Sequence, residues 1–145
     1  MVFHPNQPPA TADDAYRIIA QEIMKPLLLI GSGGAIGSIS RYLMTIFVSK
    51  YVTITFPMGT FLVNISGCFL IGLLYGIATR YTWLNLEWRL FLITGICGGY
   101  TTFSSFSWES ISLVRQGDYV YFFAYALGSL ILGLLATVGG MSLIK

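Results

Sequence analysis

The chain has 145 residues, of which 55% are hydrophobic and only 10% charged, with a formal net charge of +2 and a mean hydropathy of +0.74. Soluble domains carry about 25% charged residues, so this composition describes a protein that lives in lipid. A charge this small and scattered, with no basic run interleaved with aromatics, excludes a nucleic-acid partner.

Residues 1–25 differ from everything after them. His4-Pro5-Asn6-Gln7-Pro8-Pro9 is a polar tail broken by proline, and Asp13 to Lys25 then puts Tyr16, Ile19, Ala20 and Ile23 on one helical face, with Arg17, Gln21 and Glu22 elsewhere. The pattern suits a short amphipathic helix lying on the membrane surface, the plain alternative being an extension without fixed structure. A basic start and a continuous apolar core are both missing, so a cleaved signal peptide fits poorly. His4 is the sole histidine, and one chain therefore has no material for a His-based metal site or catalytic dyad. An enzyme is not expected.

Residues 26–145 read as one transmembrane domain. Four segments have the roughly 20-residue apolar length that crosses about 30 Å of hydrocarbon: Pro26 to Ser49, Pro57 to Thr79, Leu90 to Val114 and Tyr119 to Ile144. The connections are short, with Tyr51 and Phe56 in the first, Tyr81, Trp83 and Trp88 in the second, and Tyr119 and Tyr121 just after the third, as an interfacial aromatic belt predicts. The fold class is an all-α membrane protein.

In the first span, Gly31-Ser32-Gly33-Gly34-Ala35-Ile36-Gly37 looks superficially like a phosphate-binding loop. Ile36 occupies the third glycine position and no Lys-Ser/Thr follows, so packing is the better reading. Small residues four apart let membrane helices approach closely, and Gly33 with Gly37, Gly72 with Gly76, and Ser129 with Gly133 are so spaced. Cys68 and Cys97, without a Cys-x-x-Cys pair, read as small buried hydrophobes.

The second span places Thr60 and Asn64 on one face, and the amide of Asn64 offers two N–H donors. The third contains Gly98-Gly99-Tyr100-Thr101-Thr102-Phe103-Ser104-Ser105-Phe106 inside an otherwise apolar stretch. Non-helical backbone in hydrocarbon leaves unsatisfied amides costing several kcal/mol each, so such a run is tolerated only where protein, water or an ion meets it. A broken helix at an ion pathway follows. The fourth span sets Tyr125 and Ser129 four apart, with Gly133 a further turn along.

Together these residues supply hydroxyl and amide donors and aromatic edges with few full charges. For any single hydroxyl a bond to a local carbonyl is the plainer role, and for the two phenylalanines ordinary packing. As a set they suit a small anion. An ion leaving water needs replacement donors, whereas a fixed positive charge at mid-membrane binds too tightly for conduction. The positive edge of a phenyl ring adds a weak contact of the right sign.

In three stretches the chain resembles the Fluc (CrcB-type) fluoride channels: Gly33 to Tyr42, then Gly59-Thr60-Phe61-Leu62-Val63-Asn64-Ile65-Ser66-Gly67, and Gly98 to Phe106 with Ser107-Trp108-Glu109. They occur in the family's order and the likeness covers essentially everything after Lys25. Ser38 stands where alanine is frequent, and Ser105 replaces a frequent threonine while keeping the hydroxyl.

The resemblance implies an antiparallel homodimer of four-helix subunits in lipid, inserted in both orientations, with two pores that export fluoride passively across a cell membrane, the bacterial inner membrane by preference. It implies that Phe103 and Phe106 line the pores beside Ser104 and Ser105, that Asn64 donates to the ion, and that Thr60, Tyr125 and Ser129 form a polar track. It further implies a vestibule at Arg41 and a structural sodium ion at the dimer centre, held by the carbonyls of Gly98 and Thr101. Glu109 inherits no role and is expected as an interfacial, snorkelling carboxylate.

Excluding Arg41, five basic residues (Arg17, Lys25, Arg80, Arg89, Lys145) fall on one side and two (Lys50, Arg115) on the other, which favours cytoplasmic termini modestly and permits dual insertion. The alternative function is a small four-helix proton-coupled multidrug exporter. It needs a membrane-embedded carboxylate, and Pro26 to Ser49 contains none.

Overall fold

The computed structural model describes residues 11–52 and 54–144, so the proline-broken tail lies outside the described residues. Every element among them is helical: α1 (Ala12–Tyr51), α2 (Met58–Arg80), α3 (Leu86–Arg89), a π-helical segment (Leu90–Cys97), α4 (Gly98–Tyr100), α5 (Phe103–Gln116) and α6 (Tyr119–Ser142).

Among the described residues, three helices are long and apolar enough to cross a membrane unaided: α2, α6 and the Glu22–Tyr51 part of α1. The third crossing is assembled from pieces. Its first half runs through α3, the π segment and α4, its second half is α5, and Thr101 and Thr102 between them are extended, with ψ of 156° and 123°. The expected break is therefore present at the hydroxyl pair.

A boundary at Pro26 is not. Helix α1 runs unbroken for 40 residues with Pro26 inside it, about 60 Å at 1.5 Å per residue and twice the hydrocarbon thickness. The amphipathic stretch and the first span are thus one helix, and Lys25 forms an ion pair with Glu87 of α3. Proline removes one i→i−4 bond, but the ring tolerates helical φ and the helix continues on both sides.

Packing follows the small residues. Helix α2 lies along α6, and α1 lies along the π segment and α4. A Cβ at Gly33 or Gly37 would fall on the carbonyls of Phe91 or Ile96, and one at Gly72 on that of Thr137, so these backbones touch. The close approach on α6 is not at Gly133, where a Cβ would meet only the Cys68 sulfur at 3.4 Å. It lies at Gly140, whose Cβ would strike the Phe69 carbonyl. Cys97 is buried as a small hydrophobe and Cys68 is half-buried.

Helix α5 ends where Gly117 adopts φ 81°, with the Asp118 N–H donating to the Leu113 carbonyl at 3.0 Å. This left-handed cap reverses the chain into α6 within two residues.

Candidate ion pathway

The break is held open by one side chain. Asn64, on α2, accepts from the Thr102 N–H at 2.9 Å through Oδ1 and donates from Nδ2 to the Thr102 carbonyl at 3.1 Å. It thereby pairs with an extended residue as a neighbouring strand would. The hydroxyl of Thr102 accepts from the Ser105 N–H at 3.3 Å and starts α5 as its N-cap.

Both bonds divert donors that a continuous helix would use. The Thr102 N–H is the i+4 partner of the Gly98 carbonyl, and the Ser105 N–H that of Thr101. With those two amides committed to side chains, the oxygens of Gly98 and Thr101 lose their helical donors. Thr101 itself turns its hydroxyl back to the Cys97 carbonyl at 3.0 Å.

Beside the break an open cleft of about 350 Å³ is lined by Asn64, Thr101, Thr102, Phe103, Phe106 and Ser129, with Cys68, Ile71, Ala126 and Leu130 closing its apolar wall. The Ser129 hydroxyl oxygen is buried and without a hydrogen-bond partner. Phe103 is 78% exposed, its ring 5.7 Å from that of Phe106. No charged side chain is among these lining residues.

Phe106 also stacks at 5.1 Å on Tyr125, which is fully buried and leads away from the cleft. The Tyr125 hydroxyl donates to Glu109 Oε2 at 2.7 Å, and the Thr60 hydroxyl donates to Oε1 at 2.7 Å. On their far side a second cavity, about 220 Å³, is lined by Thr45, Ser49, Thr55, Thr60 and Glu109.

The arrangement brings Asn64, Phe103, Phe106 and Ser129 around one cleft, whereas spacing along the chain pairs Asn64 with Thr60 and Ser129 with Tyr125. Thr60 and Tyr125 are one station removed, joined to the cleft through the Phe106 ring and meeting at a carboxylate. Ser104 and Ser105 are not lining residues of either cavity: both lie within 3.2 Å of the Thr102 hydroxyl. Arg41 is half-buried on α1 and lines neither cavity.

Glu109 is the residue that sequence reasoning misplaced. It is half-buried, and its two carboxyl oxygens accept from the Thr60 and Tyr125 hydroxyls of the second and fourth spans, so the side chain is tied into the bundle. The available signal was its position: an acid in the third apolar segment demands partners, and hydroxyls on the second and fourth spans were the candidates.

A family model described as "CrcB-like protein, Camphor Resistance (CrcB)" matches residues 28–141. Among similar proteins, the fluoride-specific ion channel FluC of Phocaeicola vulgatus is 50% identical over 118 residues, covering 81% of this chain and 97% of that one. Its namesake from Flavobacterium psychrophilum is 46% identical over 122 residues, covering 84% and 98%, and that of Chlorobium phaeobacteroides is 44% identical over 119, covering 82% and 92%. The match takes in every element of the broken crossing and every residue of the cleft, and the chain belongs to the CrcB family.

Proposed function

We propose that this multi-pass membrane protein is a passive, fluoride-selective channel. The observation that carries the reading is the cleft at the helix break: donors without full charge, where, among the described residues, the backbone inside a crossing leaves the helix. Asn64 keeps one Nδ2 hydrogen beyond its bond to Thr102, Ser129 has an unused hydroxyl, and two phenyl rings border the space. A dehydrated fluoride ion finds several weak contacts there and no cationic side chain to trap it. Tyr125, Thr60 and Glu109 continue the polar track toward the second cavity.

The cleft is half a site. Phe103 at 78% exposed and a cleft open on one side need a cover, and a second copy inserted antiparallel supplies it with the same neutral chemistry. Two such clefts give two pores per dimer. A sodium ion at the two-fold centre fits the break, because Gly98 and Thr101 have carbonyls stripped of helical donors, and hard cations take oxygen ligands. Such an ion supplies positive charge that fastens the two breaks together. Arg41 faces an aqueous vestibule in this assembly.

The exporter alternative loses its chemistry. Glu109, the acid of the third crossing, has both oxygens engaged by hydroxyls, and the first span offers no carboxylate. Purified protein in liposomes separates the two functions. Fluoride efflux that needs no proton gradient, with chloride retained, is the expected result; proton-coupled drug uptake without fluoride efflux overturns it.

A further inference from the structure

The two bonds made by Asn64 have unequal consequences. Asn64 lines the cleft and Nδ2 keeps one hydrogen beyond its bond to the Thr102 carbonyl, whereas Oδ1 takes the Thr102 N–H that a continuous helix would give to Gly98. Thr102 is buried, 8% exposed, so this amide needs an acceptor at all times. Among acceptors fixed by chain geometry, the nearest alternative is the Gly98 carbonyl, four residues back. If Oδ1 were absent, the Thr102 amide would close onto Gly98, α4 would extend through the break, and the Gly98 oxygen would be consumed.

We propose that Asn64 is a positioning residue for the central cation: its amide oxygen keeps the Gly98 carbonyl free, while its amide nitrogen serves the fluoride path. One side chain thus couples the anion cleft to the ion that holds the dimer, and does so by competing for a single backbone hydrogen bond. Ser105 and Thr102 play the parallel part for the Thr101 carbonyl, since the Ser105 N–H goes to the Thr102 hydroxyl. The inference rests on the reading of a sodium ion at the break.

The test separates the two atoms of the amide. Asn64→Asp keeps an oxygen for the Thr102 N–H and loses the nitrogen donor; Asn64→Leu keeps the shape and loses both. Dimer dissociation on heating is followed in detergent against sodium chloride at constant ionic strength, with bound sodium measured by emission after dialysis into a choline salt. Fluoride efflux is read in parallel. Both variants are expected to stop conducting. Asn64→Asp should retain sodium at least as well as the unmodified protein. Asn64→Leu should need at least about tenfold more sodium for half-maximal stabilisation, because a carbonyl in each subunit must first break a hydrogen bond. Equal sodium dependence in Asn64→Leu and the unmodified dimer overturns the coupling and leaves the sodium reading intact. An unmodified dimer that holds no sodium overturns both. Where Asn64→Leu yields no dimer at any salt, Asn64→Asp decides: a folded dimer without sodium refutes the role given to Oδ1.

Discussion

A carboxylate inside an apolar span is tolerated only where donors meet it, and Glu109 meets two. Removing either leaves an acceptor with nothing in its place. Tyr125→Phe and Thr60→Val should each destabilise the protein by about 1–3 kcal/mol, read as an earlier melt, and lower fluoride efflux. Glu109→Gln keeps an acceptor for one hydroxyl and should melt later than either. The ring edges make a separate forecast. If Phe103 and Phe106 touch fluoride, Phe→Ile at either position should cut efflux at least about tenfold while the melt moves little, since apolar swaps of similar bulk are tolerated. Unchanged efflux in both variants would remove the aromatic contribution. At this scale the sequence was informative wherever partners lie on one helix. Thr60 and Asn64 were readable as a face, but the destination of each was not: Thr60 finds its partner 49 positions away and Asn64 finds its own 38 away, across helices whose rotation no local pattern fixes.

Between elements, contact is decided by glycine, and two neighbours on α6 make an internal control. A Cβ at Gly140 would strike the Phe69 carbonyl of α2, whereas one at Gly139 would meet nothing within 4 Å. Gly140→Ala should therefore force α2 and α6 apart, costing about 1–3 kcal/mol or more and lowering the yield of folded protein, while Gly139→Ala should leave the melt within experimental error. Equal behaviour of the two variants would show that α6 does not pack on α2 at this register. Spacing by four found Gly33, Gly37 and Gly72 correctly but pointed to Gly133 instead of Gly140, because the pattern marks candidates on every face and only the crossing point selects one. The π segment left no signature at all: Leu90 to Cys97 is an ordinary apolar run, and nothing local in it announces the shift from i→i+4 to i→i+5 bonding of the segment that packs on α1. The break was legible for the opposite reason. Hydroxyl residues and a Gly-Gly pair in mid-span have few tolerable environments, so chemistry alone restricted the answer.

The topology of the whole chain constrains how two copies can be joined. Three single helices and one broken crossing make an even number of passes, so the start of α1 and the end of α6 lie on the same side of the membrane. A second copy fused to the first by a short polar linker begins on that same side and must insert parallel to it. An antiparallel pair needs the chain to cross once more between copies. A tandem protein whose linker carries an extra apolar helix of about 20 residues should therefore conduct fluoride in liposomes, and one with a polar linker of equal length should not, unless separate tandems pair with each other. Dilution to less than one tandem per vesicle removes that exception. Under those conditions, equal efflux from the two tandem proteins would mean that a parallel pair closes the cleft as well as an antiparallel one, and the cover for Phe103 would have to come from the same orientation. Efflux restricted to the helix-linked form would place the open faces of two oppositely inserted copies against each other, with both breaks at the same depth and the Gly98 and Thr101 carbonyls of each turned toward a common centre.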